Sequence, residues 1–238
     1  MLDSIGKTFW QVYDAIGRLY LTPLLRKEWK TPPKRMNERA IELAFVSKWL
    51  ARLYPEEVLD VGTGATVWPR VLANCGFRVT AIDEMQSYWQ RRFFNRYFFV
   101  LGDDITKPRI SKTFDMITCI SVLEHIRDHQ AAMRGIFGLL KPGGHALLTF
   151  PYNEGEYVED AYSLPGAGYN QGGRYICQVF SRNEIDGWLE ENPATIVEQE
   201  YYQIFTGDMW TFGERIYPPR LVAKDEKHHL TCLLLQKT

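Results

Sequence analysis

Cysteine is scarce in this sequence, and its four residues, Cys75, Cys119, Cys177 and Cys232, lie far apart. No two of them form a C-x-x-C pair, which argues against a zinc knuckle and against a disulfide-stapled scaffold. Cys119 and Cys232 lie within apolar runs, where a reduced and buried thiol is expected. The first 25 residues carry charged side chains instead of the apolar core of a signal peptide, so we expect a reducing, cytoplasmic location.

An excess of charge of one sign and long hydrophobic runs are also lacking. The 28 Lys and Arg residues nearly balance the 29 Asp and Glu residues, which gives a net charge of −1. Because such a chain has no basic field that attracts nucleic acid or anionic lipid, we predict neither partner. No apolar stretch approaches the length of a membrane span. With 45% apolar and 24% charged residues, the 238-residue chain fits one globular domain with appendages.

Short apolar runs alternate with helical patterns from residue 57 onward. The strand candidates are EVLDV (57–61), RVTAID (78–83), YFFVLG (97–102), FDMITCI (114–120) and HALLTF (145–150), with TIVEQEYYQIF and HLTCLLLQK closing the chain. Strands that alternate with helices indicate βαβ units and a parallel sheet covered on both faces. SRNE (181–184) predicts a capping box at the start of a helix.

Two regions fall outside this alternation. Residues 1–53 have apolar residues at helical spacing, interrupted by the proline-containing connection KTPPKRMNE. We predict that residues 1–35 form an N-terminal helical cap, or substrate lid, on a domain that spans residues 36–238. Residues 151–180 contain seven glycine or proline residues and five tyrosines, and a segment of this length and composition predicts a functional loop inserted into that domain.

The stretch VLDVGTGATVWP (58–69) is typical of a buried strand that leads into a tight turn. It lacks the Lys-Ser or Lys-Thr of a phosphate-binding P-loop. Val67 stands where a dinucleotide fingerprint has its third small residue, which disfavours a pyrophosphate. Asp83 follows Gly64 by 19 residues, at the position of a carboxylate that accepts ribose hydroxyls. The turn therefore predicts nucleoside binding without a pyrophosphate.

Five motifs follow one another in the chain: VLDVGTGATVWP, VTAIDEM, VLGDDI, FDMITCISVLEHI and LLKPGGHALLTFP. This ordered series resembles that of class I S-adenosylmethionine-dependent methyltransferases, and within them it is most similar to the ubiquinone-biosynthesis-like branch. The resemblance covers residues 38–150 in order and residues 181–238 more loosely. It implies an α/β fold with a Rossmann-like sheet of seven mostly parallel strands, helices on both faces and an antiparallel last strand. S-adenosylmethionine would be the methyl donor and S-adenosylhomocysteine the product. The sequence departs at Thr66, where many members carry a third glycine.

The resemblance also implies cofactor contacts at the ends of the strands. Asp60 would orient the turn and reach the methionine ammonium, directly or through water. Asp83 would hold the ribose, and Asp103 the adenine amino group, with Asp104 as the alternate. The implied cofactor-binding residues are Asp60, Gly62, Thr63, Gly64, Asp83, Glu84, Asp103, Asp104, Ile105 and Cys119.

The segment SVLEHIRDH (121–129) begins just beyond the fourth strand candidate, close to the transferred methyl. Because a hydroxyl acceptor must lose its proton, we predict His125 as the catalytic base and Glu124 as the residue that orients it. In the alternative interpretation, Ser121 and Glu124 form a helix-capping box and the segment is scaffold. His125 and His129 could both ligate a metal, but metal-binding relatives use Glu-x-x-Glu-His, and Ser121 replaces its first Glu. We therefore predict no metal site.

Tyrosines and one arginine in the two non-alternating regions predict the acceptor site. Tyrosine beside arginine suits a polar, ring-bearing acceptor, so we expect O-methylation of a sugar or glycan precursor or a phenolic metabolite. The substrate-binding candidates are Tyr13, Tyr20, Tyr152, Tyr157, Tyr169 and Arg174.

Three other interpretations stay open. An RNA or protein methyltransferase is favoured by WQRRFFNRYFF (89–99), which interleaves arginine with aromatics, and disfavoured by the neutral net charge and the lack of an NPPY-like motif. A nicotinamide oxidoreductase is disfavoured by Val67 and by the lack of a Tyr-x-x-x-Lys pair. A non-catalytic partner subunit that binds S-adenosylmethionine is compatible with the motif series. The oligomeric state is also open, with a homodimer as one alternative.

Overall fold

The computed structural model describes residues 8–19, 37–84, 95, 97–168 and 175–238, which divide into two units, Met1–Asn37 and Glu38–Thr238. In the first unit, residues 8–19 form helix α1. Its Arg18 pairs with Asp14 one turn earlier, at 2.8 Å. Most of the arginine-rich stretch 89–99 lies outside the described residues.

The second unit is built on one mixed sheet. Its helices are α2 (Arg39–Leu53), α3 (Trp68–Asn74), α4 (His129–Leu139) and α5 (Arg182–Glu191). Its strands are β1 (Glu57–Val61), β2 (Arg78–Asp83), β3 (Leu101–Gly102), β4 (Phe114–Ile120), β5 (Leu140–Pro151), β6 (Ala194–Phe205), β7 (Arg215–Val222) and β8 (Leu230–Lys237). The strand order is β3-β2-β1-β4-β5-β8-β6-β7. Strands β1 to β5 are parallel, and the pairs β5–β8, β8–β6 and β6–β7 are antiparallel.

The predicted Rossmann-like α/β fold is confirmed, with eight strands in the described part of the chain instead of seven. The additional strand is β7, whose sequence RIYPPRLV contains two adjacent prolines. Proline has no N–H to donate and is therefore tolerated mainly on edge strands, and β7 occupies an edge of the sheet. The candidate YFFVLG is reduced to Leu101–Gly102.

The core lies on both faces of the sheet. Successive strand residues point to opposite faces, so Leu59 of β1 packs in one cluster with Trp188 of α5, while Val58 packs in the other with Phe45 of α2. Helices α4 and α5 therefore cover one face, and α2 and α3 cover the other. This double cover explains why the inner strands are apolar along their length.

Several local predictions can be compared directly with the structure. Ser181 and Glu184 form the predicted capping box at the start of α5. All four cysteines carry free thiols, and Cys119 and Cys232 are buried as expected. The described parts of loop 151–180 contain a single 3-10 turn, Ala161–Ser163, and otherwise isolated bridges. No helix among the described residues is long and apolar enough to cross a membrane.

The chain changes direction between β1 and β4, which are neighbours in the sheet although β2 and β3 lie between them in sequence. In open α/β sheets a ligand binds beyond the carboxyl ends of the strands at such a switch point. At this point Gly62 has φ +71°, and a Cβ added to it would lie 2.4 Å from the Val122 side chain. Glycine is therefore required there both by conformation and by close approach.

Candidate active site

A cleft of about 1070 Å³ opens at this switch point. That volume lies at the upper end of the usual range for small-molecule sites, so it has room for a nucleoside and an acceptor. Its walls include the base candidate His125, together with Arg39 of α2 and Tyr175 and Ile176 of loop 151–180. The predicted cofactor residues that line it are Gly62, Thr63, Gly64, Asp83, Glu84, Asp103, Asp104 and Ile105.

Asp60 lies behind the glycine turn and is almost fully buried. One carboxylate oxygen accepts a hydrogen bond from Thr63 Oγ1 at 2.6 Å, and the other accepts one from Thr118 Oγ1 at 2.7 Å. Burial raises the pKa of Asp60 to about 6, although both hydroxyl donors act to lower it. The carboxylate thus ties the turn, through Thr63, to β4. Cys119 lies beside it at the end of β4, and burial raises the pKa of its thiol.

Asp83 ties the turn to β2. Its Oδ2 accepts a hydrogen bond from the Gly64 N–H at 2.6 Å, which fixes the carboxylate at the cleft wall. On the other side, the Asn95 amide donates to the carbonyls of Gly64 and Thr66, both at 3.0 Å. Thr66, at the position of the missing third glycine, closes the turn by donating from Oγ1 to the Thr63 carbonyl at 2.9 Å.

Asp103 and Asp104 have different surroundings. The Asp103 carboxylate accepts backbone hydrogen bonds from Asp104, Arg109 and Ile110 at 3.0 to 3.2 Å. Burial would raise the pKa of Asp103, but these donors outweigh burial and lower it. Asp104 accepts from the Thr106 N–H at 2.9 Å and from Thr106 Oγ1 at 2.8 Å through the same oxygen, Oδ1. Asp103 therefore organises its own loop, whereas the Oδ2 atom of Asp104 pairs with Lys107 at 3.7 Å.

His125 contacts the backbone of loop 151–180. Its Nδ1 lies 2.7 Å from the Ile176 carbonyl oxygen. Because a carbonyl can only accept, Nδ1 carries the hydrogen, and the lone pair of the neutral ring is on Nε2. Burial lowers the pKa of His125, the Ile176 carbonyl partly opposes this, and the nearby Arg39 charge lowers it further. The ring is therefore neutral near pH 7, and the Tyr175 ring lies 5.2 Å away.

Glu124 does not make the predicted orienting contact. Its Oε1 is 3.8 Å from His125 Nε2, which is too long for a hydrogen bond. Its Oε2 is buried without a hydrogen-bond partner in the described part of the chain. Burial raises the pKa of Glu124 well above its usual range. In the structure, Ile176 orients His125 instead.

The capping box of the alternative interpretation, between Ser121 and Glu124, does not form. Ser121 has φ +49°, and the 3-10 turn Leu123–His125 has no side-chain cap. The Ser121 hydroxyl donates instead to the carboxylate of Glu42 in α2, which also accepts from Thr149 Oγ1 at 2.7 Å. Burial raises the pKa of Glu42.

Arg39 of α2 is a cleft residue that the sequence did not predict, and Glu42, three residues later, is its fully buried partner. Their side chains pair at 3.4 Å, and Arg39 Nη1 donates to the Ile120 carbonyl at 3.1 Å. The guanidinium is thereby placed on the cleft wall at the end of β4. Two opposite charges three residues apart on a helix usually indicate a solvated face, so the pattern gave no signal for this burial.

The acceptor candidates are dispersed. Tyr152 is fully buried, stacks on His228 and donates to Glu154 at 2.7 Å. The Tyr157 hydroxyl donates to Gln178 at 2.8 Å. Neither residue lines the cleft, and Tyr13 belongs to α1 of the first unit. Tyr175, which is not among the predicted acceptor residues, is the tyrosine found on the cleft wall within the described residues. Tyr20, Tyr169 and Arg174 lie outside the described residues.

The chain is similar to several known proteins. Ubiquinone biosynthesis O-methyltransferase of Alkalilimnicola ehrlichii is 29% identical over 164 residues, which span 63% of this chain and 65% of that protein. The protein of the same name from Coxiella burnetii is 26% identical over 191 residues, or 73% and 80% of the two chains.

Two solved structures share the fold at low identity. The 1,6-didemethyltoxoflavin-N1-methyltransferase of Burkholderia thailandensis has a TM-score of 0.55 and 17% identity, over 96% of this chain and 90% of that one. An S-adenosylmethionine-dependent methyltransferase of Clostridium acetobutylicum has a TM-score of 0.52 and 14% identity, over 95% and 99%. At these identities the likeness concerns the fold alone.

The chemistry of the cleft fits the cofactor that the motif series implies. S-adenosylmethionine carries a sulfonium and an ammonium but no phosphate, and the cleft has carboxylates at Asp83, Glu84 and Asp104, which attract cations. The family model described as "methyltransferase domain" matches residues 34–199, which is most of the chain. The chain therefore belongs to the methyltransferase-domain family and is a class I enzyme that depends on S-adenosylmethionine.

Proposed function

We propose that this protein methylates a hydroxyl oxygen of a small, ring-bearing acceptor, either a phenolic metabolite or a sugar or glycan precursor. The observation that carries the choice of oxygen is the Nδ1 contact of His125 with Ile176. It leaves the lone pair of the neutral imidazole on Nε2, in a residue that lines the cleft. A hydroxyl nucleophile needs such a base, whereas an amine needs only to be neutral.

S-adenosylmethionine supplies a methyl group activated by the positive sulfur. We assign the ribose hydroxyls to Asp83, with Glu84 beside it, and the adenine to Ile105 and Asp104, because the Asp103 carboxylate already accepts three backbone donors. The turn held by Asp60 and Thr63 receives the methionine part. Arg39 then offers its guanidinium to the methionine carboxylate, a pairing for which its planar fork is suited.

The acceptor enters beside His125 and Tyr175. Two rings 5.2 Å apart on the cleft wall favour an aromatic or sugar ring, which packs on such surfaces. The names of the two relatives, both O-methyltransferases, support an oxygen acceptor. On the sequence pattern alone, the proposal extends to residues 1–35 as a lid that contributes Tyr13 and Tyr20, and to Tyr169 and Arg174.

A transfer assay tests the proposal. The purified protein is incubated with S-adenosylmethionine labelled in the methyl group, with simple phenols and catechols, with hexoses, and with anilines as amine counterparts. We expect label on a hydroxyl compound and a loss of about 10²–10⁴ in kcat for His125→Asn, with unchanged affinity for S-adenosylhomocysteine. Label on the anilines alone would refute the oxygen assignment. Binding of S-adenosylhomocysteine without any transfer would favour the non-catalytic subunit.

A further inference from the structure

The turn that carries His125 is held weakly by its own backbone. Residues Leu123–His125 form a single 3-10 turn without a side-chain cap. The turn has two backbone hydrogen bonds, from the His125 N–H to Val122 and from the Ile126 N–H to Leu123, at 2.9 and 3.1 Å. Because short 3-10 turns have poor hydrogen-bond geometry, the position of the imidazole depends on contacts from outside the turn.

Gln178 supplies these contacts from loop 151–180. Its backbone N–H donates to the Glu124 carbonyl at 2.9 Å, and its side-chain Nε2 donates to the Ile126 carbonyl at 2.7 Å. Its Oε1 accepts from the Tyr157 hydroxyl at 2.8 Å. Gln178 is 1% exposed, so these bonds form away from water. One residue thus holds the carbonyls on both sides of His125.

Ile176 completes the arrangement two residues earlier. Its carbonyl accepts the His125 Nδ1 hydrogen at 2.7 Å, while residues 175 and 176 line the cleft. The same short segment therefore contacts the acceptor space and the imidazole. Neutral imidazole in water prefers the hydrogen on Nε2, so the opposite tautomer has to be imposed by its surroundings.

We infer that Gln178 is a positioning residue: together with the Ile176 carbonyl it holds His125 in the Nδ1–H tautomer, so that Nε2 receives the acceptor proton. The role of Nε2 rests on the proposed function, whereas the tautomer does not. In the step, the hydroxyl proton moves to Nε2 and the acceptor oxygen bonds to the methyl carbon. The bond from that carbon to sulfur breaks, and its electron pair stays on sulfur. The imidazolium keeps its Nδ1 hydrogen on Ile176 and later releases the new proton to solvent.

The groups that face His125 agree with this assignment. Glu124 on the same turn keeps its Oε1 3.8 Å from His125 Nε2, which is beyond hydrogen-bond distance. Arg39 from α2 adds a positive charge nearby, and Tyr175 from the loop adds an aromatic ring. The Ile176 carbonyl, 2.7 Å from Nδ1, is therefore the acceptor that selects the tautomer.

The tautomer can be measured without knowing the acceptor. The full-length protein is labelled with ¹⁵N-histidine, and two-bond ¹H–¹⁵N correlations distinguish Nδ1–H from Nε2–H rings. The chain has five histidines, and the spectrum of His125→Asn identifies the signals of His125. We expect the hydrogen on Nδ1 in the wild type. A predominant Nε2–H ring would overturn the inference, whatever the transfer assay shows.

Variants separate positioning from general packing. For Gln178→Ala we expect an increased Nε2–H fraction and a loss of about 10²-fold in kcat, with little change in KM or in affinity for S-adenosylhomocysteine. Gln199→Ala is the matched control, because that amide joins Arg182 and Thr231 elsewhere in the sheet. It should leave the tautomer and kcat unchanged.

A second variant keeps the inference testable if Gln178→Ala does not fold. Tyr157→Phe removes only the hydrogen bond to Gln178 Oε1, from a residue at the surface. It should raise the Nε2–H fraction by a smaller amount. An unchanged tautomer in a folded Gln178→Ala or, failing that, in Tyr157→Phe would refute the positioning role. Loss of all transfer with an intact Nδ1–H tautomer would instead count against the proposed function.

Discussion

Replacing Gly62 with alanine should damage the cofactor turn by two separable effects. Gly62 has φ +71°, and an L-residue in this region costs roughly 1–2 kcal/mol. The added Cβ would also lie 2.4 Å from both γ-carbons of Val122. Overpacking of this kind costs about 1–3 kcal/mol. Alanine lowers the conformational entropy of the unfolded chain, which offsets about 0.4–1 kcal/mol of this loss. The free energy of unfolding should therefore fall by about 1–5 kcal/mol.

Gly143 provides a matched control for the conformational part. Its φ is +74°, nearly the same as that of Gly62, but nothing lies within 4 Å of an added Cβ. Gly143→Ala should therefore show only the backbone cost, less the gain from the unfolded chain. The difference between the two variants isolates the contact with Val122, and urea unfolding followed by tryptophan fluorescence measures both.

A double-mutant cycle completes the experiment. Val122→Ala removes the two γ-carbons, so Gly62→Ala should cost clearly less in that background. Affinity for S-adenosylhomocysteine, measured by calorimetry, should fall for Gly62→Ala and stay unchanged for Gly143→Ala. Equal losses of stability in the two glycine variants, with no rescue by Val122→Ala, would show that the approach of Val122 does not confine the turn.

Three further predictions concern the cofactor, the lid and pH. Asp83→Asn should weaken binding of S-adenosylhomocysteine in calorimetry by about 1.5–3 kcal/mol, the usual range for hydrogen bonds to a charged group. Deletion of residues 1–30 should abolish methyl transfer and spare S-adenosylhomocysteine binding. Burial raises the pKa of Asp60 from 3.8 to about 6, so the folded state binds the extra proton between these values. The stability conferred by the protonated group should therefore be complete below pH 4 and fall by about 3 kcal/mol as pH rises to 7.

The structure supplies controls for the cofactor and pH predictions. Asp115→Asn changes a carboxylate paired with Lys141 away from the cleft and should leave cofactor binding intact. Transfer that persists after deletion of residues 1–30 would reject the lid. Asp60→Asn does not titrate, so the stability difference between wild type and variant isolates Asp60 from the other buried acids. A difference that does not change between pH 4 and pH 7 would contradict the raised pKa.

The parts of the fold that could be predicted are those set by local pattern. Alternating apolar runs locate most strands, because a strand inside a doubly covered sheet has to be apolar along its length. The capping box at Ser181 is likewise a local signal. Strand β7 was missed since its prolines oppose pairing, and only its place at the sheet edge makes them tolerable.

The same distinction between local pattern and tertiary packing applies to the residues of the site. The glycine turn and Asp83 are contiguous with strands whose register fixes them, so motif spacing predicted their meeting, which the Gly64–Asp83 hydrogen bond shows. Asp103 and Asp104 were both candidates, because spacing cannot tell which of two adjacent carboxylates turns back onto its own loop. Arg39 reaches the cleft wall from α2 and pairs there with the buried Glu42, and both placements depend on how α2 packs on the sheet.

His125 shows most clearly where reasoning from sequence ends. The sequence pattern predicts His125 as a base beyond β4. The residue predicted to orient it was the neighbouring side chain Glu124. The Oε1 atom of that carboxyl lies 3.8 Å from His125 Nε2, too far for a hydrogen bond, and burial disfavours its charged form. The Ile176 carbonyl, 51 positions along the chain, takes this role. A backbone carbonyl is present in every residue, so no residue type reveals which one it is, and only the docking of loop 151–180 against the 3-10 turn selects it. Because this loop also lines the cleft, we expect substitutions in it to change both the choice of acceptor and the orientation of His125.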